Sequence, residues 1–220
     1  MPRRCGEASM ASLLIPTPPD PVRTASQWLG EAEALGRRNA NAMALASADA
    51  SGRPSARMVL LKELAPLGYA VFYTNYGSRK GAELLSTGRA AAVLYWHELG
   101  RQIRFEGPVV RSPDAESDAY FATRARASQI NAWSSEQSRP LPEPSALEER
   151  AANIAGTHPA SEALPRPDFW GGFRLWLEAI ELWVEGRDRF HERIRYERRL
   201  DARDAYTFET GRWSSQRLQP

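Results

Sequence analysis

Residues 42–75 read AMALASADASGRPSARMVLLKELAPLGYAVFYTN. Apolar and small side chains recur here with a period of two, the spacing that covers one face of a β-strand. Ala42–Ala48 is expected as a strand, Asp49-Ala-Ser-Gly52 as a turn and Ser55–Glu63 as a second strand. Pro66-Leu-Gly68 then turns the chain into a third strand, Tyr69–Asn75. Beyond it Gly77–Thr87 reads as a short helix, and Ala90–His97 and Gln102–Arg111 as strands joined by Glu98-Leu-Gly100. Strands at hairpin spacing with one inserted helix point to an antiparallel barrel rather than a parallel sheet.

Upstream, Asp20-Pro21 offers an N-cap followed by a proline at the first helical position. Val22, Ala25, Trp28, Leu29, Ala32 and Leu35 follow at helical spacing, and Gly36 supplies the stop. Residues 1–19 are expected as a flexible tail and 20–220 as a single domain. Downstream, Ser112-Pro113-Asp114 opens a helical region, and Asp118–Glu136 reads as largely helical until Pro140, Pro142 and Pro144. Leu147–Ile154 is a short amphipathic helix. Strands are expected near Phe173–Glu178, Glu181–Glu185 and Phe190–Arg198, with a last pair around Tyr206–Glu209 and Trp213–Leu218. The expected class is α+β and strand-rich, with peripheral helices.

The chain has 220 residues, 42% hydrophobic and 25% charged, with a net charge of +2. Seven Trp, seven Tyr and seven Phe carry too much aromatic surface for a disordered chain. No run approaches the ~18 apolar residues of a membrane span. The near-balanced charge gives no footprint for nucleic acid or an anionic membrane. Cys5 is the sole cysteine, and His97, His158 and His191 lack metal-ligand spacing, so neither a disulfide nor a metal is expected. No secretory segment is evident, which makes the cytoplasm the default location. Of the 29 Lys and Arg residues, only Lys62 and Lys80 are lysines. Coding bias is one explanation; positions where a planar guanidinium will not serve are the other.

Four constellations carry possible chemistry. Gly77-Ser78-Arg79-Lys80-Gly81 puts two cations at a helix start, against the dipole; either an anion docks there or a solvated pair is tolerated. Arg57-Met-Val-Leu-Leu-Lys62 puts a cation on each face of an apolar strand; either both meet a ligand or both snorkel from the strand ends. Arg189, His191, Arg193 and Arg195 would share one strand face, as an anion site or as a charged edge. Tyr120, Arg124 and Ser128 would line one face of a continuous helix, as a phosphate set or as ordinary surface packing. No phosphate-loop, dinucleotide or nucleophile-elbow motif is present, which points to chemistry carried by a bound cofactor.

These stretches, with Phe72-Tyr-Thr-Asn75, Gln102, Ser128-Gln-Ile, Glu136-Gln-Ser138, Phe169-Trp-Gly-Gly-Phe173, Arg189-Phe-His-Glu-Arg193 and the terminal Arg217-Leu-Gln-Pro220, resemble the pyridoxine/pyridoxamine 5'-phosphate oxidases over roughly residues 20–220. The resemblance implies an FMN-binding split barrel that works as a homodimer, with FMN at the subunit interface. It implies oxidation of pyridoxine or pyridoxamine 5'-phosphate to pyridoxal 5'-phosphate, with O2 as acceptor and H2O2 as product. Carried over to this chain, Arg57, Met58, Val59, Leu60, Leu61, Lys62, Tyr73, Thr74, Ser78, Arg79, Lys80, Gln102, Gln137, Ser138, Trp183 and Arg193 would contact FMN. Lys62, Tyr120, Arg124 and Ser128 would hold the substrate phosphate, and Arg189 and His191 would lie over the substrate ring as the catalytic pair. Val93-Leu-Tyr-Trp96 and His191-Glu-Arg193 also resemble a sister branch, the flavin oxidases of phenazine biosynthesis, which aromatise dihydro- or tetrahydrophenazine carboxylic acids. A non-catalytic flavin or pyridoxal phosphate carrier on the same barrel is the third reading.

Overall fold

A computed structural model describes residues 19–159 and 161–220, so the tail expected over 1–19 lies, but for Pro19, outside the described residues. Helix α1 (Pro21–Ala34) starts as its sequence dictates: the Asp20 carboxylate accepts from the amides of Val22 at 3.0 Å and Arg23 at 3.3 Å. It buries Val22, Ala25, Trp28 and Ala32 against the barrel and ends before Gly36, which takes a left-handed φ of 69°.

Strand β1 (Ala42–Ala48) pairs antiparallel with β2 (Pro54–Leu60) and with β5 (Arg89–Trp96). The strand expected over Ser55–Glu63 is in fact two. At Leu61–Lys62 the chain leaves β2 and crosses to β3 (Glu63–Ala65), which pairs with β4 (Tyr69–Asn75). β4 pairs with β7 (Trp170–Trp176). The long β6 (Arg101–Arg111) joins the two halves. It pairs with β5, with β8 (Ala179–Val184) through Arg101–Glu106, and with β7 through Val109–Arg111. Gly107 lies between those two pairings, where a Cβ would collide with the Trp176 carbonyl; only glycine allows the strand to change partners there. β9 (Glu192–Glu197) pairs with β8, and β12 (Ser214–Leu218) closes that edge. The resulting antiparallel sheet, curled and split, has the architecture expected from the period-two pattern.

The last strands differ from expectation. β10 (Leu200–Ala202) pairs with β11 (Phe208–Thr210), whereas β12 pairs with β9, so the expected final hairpin does not form. The core holds Met43, Leu45, Phe72, Phe105 and Phe173, each at most 1% exposed, and each such side chain contributes about 1.5–3 kcal/mol of burial free energy.

Among the described residues, five helices dress the barrel. α2 (Arg79–Thr87) follows β4, with Ser78 as N-cap. The helix expected over Asp118–Glu136 is broken. α3 (Asp114–Thr123) stops at Arg124, whose backbone is extended (φ −73°, ψ 145°), and α4 (Arg126–Ser134) restarts two residues later. The Gln129 side-chain amide donates to the Phe121 carbonyl at 3.0 Å and ties the break together. α5 (Pro144–Thr157) packs on α4. No helix among the described residues is long and apolar enough to cross a membrane.

Candidate active site

The ends of β2 and β4 and the starts of α2, α4 and β7 surround a cavity of about 520 Å³. Eleven of the residues expected at the site line it: Met58, Val59, Leu60, Lys62, Tyr73, Thr74, Lys80, Tyr120, Arg124, Ser128 and Gln137. The set Tyr120, Arg124 and Ser128 therefore meets, though not by the expected route. A straight helix would have aligned the three, whereas here the break at Arg124 swings α4 back so that Ser128 faces the same space.

The cavity's charge is one-sided. Lys62, Lys80 and Arg124 line it, and no Asp or Glu does among the described residues. Lys80 is 8% exposed; its Nζ donates to Thr74 Oγ1 at 2.9 Å and to Gln137 Oε1 at 2.7 Å, both neutral acceptors. Burial, with the Arg57 charge nearby, pushes the Lys80 ammonium down to about 8. Arg124 is held below the usual guanidinium range by burial, and its Nη1 is buried with no hydrogen-bond partner. A buried donor without an acceptor costs about 1–3 kcal/mol, a cost that an anion in the cavity would remove. The Lys62 ammonium lies 5.9 Å from the Tyr120 ring centroid.

The remaining residues expected around the flavin stand outside the cavity. Ser78 is fully buried as the α2 N-cap, its Oγ accepting from the Gly81 amide. Arg57 and Arg79 converge on Glu83: Arg57 Nη2 lies 3.1 Å from Oε2 and Arg79 Nε 2.8 Å from Oε1. Burial alone would raise Glu83, but hydrogen bonds from Ser47, Ser55, Arg79 and Arg57 outweigh it and hold the carboxyl at about 2. The cationic helix start is thus half compensated from within the fold, and Lys80 alone of that pair turns into the cavity. Leu61 is buried in the core, and Ser138, next to Gln137, takes a left-handed φ of 73°.

Gln102, Trp183 and Arg193 form a row across β6, β8 and β9, since Gln102 pairs with Trp183 and Trp183 with Arg193. The strand face expected to carry Arg189, His191, Arg193 and Arg195 does not exist as such. Arg189 ends a short turn of 3-10 helix, Arg187–Arg189, and His191 precedes β9. Arg193 pairs with Glu181 at 2.9 Å, and Arg195 with Glu106 at 2.9 Å and Glu197 at 2.8 Å. Glu181 and Glu106, from other strands and far apart in sequence, and Glu197 from β9 itself compensate what looked like a naked cationic face. His191 lies over Trp183, ring centroids 4.6 Å apart, and its Nδ1 accepts from the Gly186 amide at 3.2 Å. Asp188 and Arg189 both have positive φ, 54° and 67°, a strained pair of non-glycine residues.

Sequence reasoning assigned no role to Asn75, Asn131, Ser135 or Trp170, all of which line the cavity. For Trp170 a signal was present. It precedes two glycines, and a Cβ at Gly172 would lie 2.6 Å from Ser112 Oγ and 3.0 Å from the Tyr73 ring. A glycine pair that admits an aromatic ring marks a close-packed wall.

A split barrel with a cationic, carboxylate-free cleft defines a class of protein that takes small anionic ligands. Residues 30–158 match the family described as pyridoxamine 5'-phosphate oxidase, and residues 170–220 match the pyridoxine 5'-phosphate oxidase C-terminal dimerisation region. The chain is 46% identical to a pyridoxine/pyridoxamine 5'-phosphate oxidase of Cereibacter sphaeroides over 204 residues, 91% of this chain and 95% of that one. It is 46% identical to another of that name from Rubrobacter xylanophilus, over 92% of this chain and 88% of the relative. The crystal structure of PhzG from Burkholderia lata, in complex with tetrahydrophenazine-1-carboxylic acid, superposes with a TM-score of 0.81 at 34% identity, covering 95% of this chain and 98% of that one. The chain belongs to the pyridoxamine 5'-phosphate oxidase family. It is an FMN-dependent oxidase with the family's dimerisation region. The donor set fits FMN, since the buried Lys80 ammonium, held only by the neutral Thr74 and Gln137, is suited to phosphate oxygens.

Proposed function

We propose that the protein oxidises pyridoxine or pyridoxamine 5'-phosphate to pyridoxal 5'-phosphate, passing the electrons to O2 and releasing H2O2. The observation that carries this reading is the cavity in which three cations meet no carboxylate and one buried guanidinium nitrogen has no partner. When bound, FMN supplies a two-electron acceptor that O2 reoxidises. The chain's own residues bind and orient. Arg124, Lys62, Ser128 and the Tyr120 hydroxyl would hold the substrate phosphate, a dianion that donors of this kind bind strongly. Lys80, Thr74 and Gln137 would hold the flavin phosphate side, while Arg57 and Arg79 are paired with Glu83 outside the cavity. Fixing both partners in one geometry contributes most of the rate, and no side-chain base is required.

Arg189 and His191 would orient the substrate ring, with Gln102, Trp183 and Arg193 against the flavin. Within one chain these five do not line the cavity. The reading therefore has a second copy contribute them, with FMN at the interface. In its support, Trp183, Arg189, His191 and Arg193 all fall in the stretch that matches the family's dimerisation region.

The likeness to Burkholderia PhzG favours a second reading, the aromatisation of a reduced phenazine carboxylic acid. Lys62, Tyr120, Arg124 and Ser128 around one cavity argue for the phosphorylated substrate. Oxygen uptake by the FMN-loaded protein separates the two. Turnover of pyridoxine 5'-phosphate is expected; turnover of a tetrahydrophenazine carboxylate alone would reverse the assignment.

A further inference from the structure

The guanidinium of Arg124 rests on aromatic rings and on no carboxylate among the described residues. Its central carbon lies 4.6 Å from the Trp170 ring centroid and 5.7 Å from that of Phe121, and it makes no ion pair among the described residues. Carboxylates are the common partners of arginine elsewhere in this chain, as at Arg174 with Glu116 and Arg166 with Asp118. A carboxylate on Arg124 would neutralise it and compete with an incoming anion. An aromatic face attracts the cation through the ring quadrupole and leaves the N–H edge uncommitted. The unpartnered Nη1 is what such an arrangement produces.

The Trp170 ring is itself fixed. It runs nearly parallel to Tyr120, at 6.2 Å and 6°, and to Tyr73, at 5.5 Å and 12°, and Phe121 meets it edge-on at 5.2 Å. Tyr73 and Tyr120 stack on each other at 3.9 Å. Register explains how the stack forms. Tyr73 lies opposite Gly172 across β4 and β7, and the missing side chain there gives its ring room beside Trp170. Arg124 is extended just where α3 ends, which frees it from the helix and lets it reach this wall.

We infer that Trp170 is a positioning residue for the substrate phosphate, acting through Arg124. It sets the plane of the guanidinium at the wall of the cavity that Lys62 and Ser128 also line. This deepens the proposed function and rests on it. A desolvated cation–π contact of this kind corresponds to about ten- to thirty-fold in affinity.

The test compares Trp170→Phe, Trp170→Leu, Arg124→Ala and the Arg124→Ala/Trp170→Leu double variant. Steady-state turnover of pyridoxine 5'-phosphate is measured, together with calorimetric binding of pyridoxal 5'-phosphate and of unphosphorylated pyridoxal. Trp170→Leu is expected to raise KM for pyridoxine 5'-phosphate about ten- to thirty-fold with kcat changed less than about two-fold. It weakens pyridoxal 5'-phosphate binding to a similar degree and leaves pyridoxal unaffected. Trp170→Phe, which keeps a ring and the fold, falls between. In the Arg124→Ala background Trp170→Leu adds less than about two-fold, because the residue it acts through is gone. Full additivity in the double variant, or wild-type KM in both Trp170 variants, would overturn the inference while leaving the phosphate subsite intact. Wild-type KM in Arg124→Ala would instead overturn the subsite on which the inference rests.

Discussion

Arg124 and Arg195 look alike in the sequence, each in an arginine-rich run, yet the fold treats them oppositely. Arg195 is paired with Glu106 and Glu197, which raise it above the usual guanidinium range. Arg124 is half-buried against aromatic rings with a nitrogen left over, and burial lowers it. The first is a strut between strands. The second makes no ion pair among the described residues and, on the proposed function, takes the substrate phosphate. What distinguishes a ligand site from a charged surface here is the absence of a carboxylate, a property of tertiary structure.

The largest effect that bears on this contrast is expected at Arg124. Its replacement by alanine should raise KM for pyridoxine 5'-phosphate about 100-fold, since a buried charged hydrogen-bond set is lost. Arg195→Ala should change KM less than about three-fold and show its cost in urea denaturation instead, on the order of 1 kcal/mol for a partly exposed pair. Comparable KM effects in the two variants would erase the distinction.

The lysines sharpen the contrast at a smaller scale. Lys62→Arg and Lys80→Arg keep the charge and should weaken pyridoxine 5'-phosphate and FMN binding respectively, each about ten-fold. The Lys80 ammonium sits between Thr74 Oγ1 and Gln137 Oε1 in a buried space cut for a compact group. Wild-type constants for both variants would leave coding bias as the whole explanation of their rarity.

A pH titration gives the gentlest test. Lys80 titrates at about 8 in the FMN-free protein, with the neutral Thr74 and Gln137 as partners and the Arg57 charge opposing it. Below that pH the ammonium is present and FMN affinity is flat. Above it the cation is lost, and binding a phosphate must take up a proton, so affinity falls by up to about ten-fold per pH unit. Fluorescence titration of FMN into the FMN-free protein between pH 7 and 9.5 reads this directly. Affinity that rises with pH would contradict it.

Much of the frame was legible in the sequence. Ala42–Ala48 and Tyr69–Asn75 have the bounds their alternation implies, and Asp20-Pro21 caps α1 as written. The break at Arg124 was not legible, because Thr123-Arg-Ala-Arg126 contains neither Gly nor Pro; packing of Arg124 on Trp170 replaces local propensity there. The division of β2 from β3 escaped as well, since an apolar run does not record a change of partner strand. Individual arginines were visible as site candidates, but their carboxylate partners, Glu83, Glu106 and Glu181, come from other elements. Trp170 was seen only as part of a motif because its role depends on register with β4.

The measurement closest to the central claim is oxygen uptake by the FMN-loaded protein with pyridoxine 5'-phosphate against unphosphorylated pyridoxine. If the cavity's unpaired cations exist to take a phosphate, kcat/KM for the phosphorylated form is at least about 100-fold higher, and Arg124→Ala removes most of that ratio. Equal values for the two substrates would contradict the account.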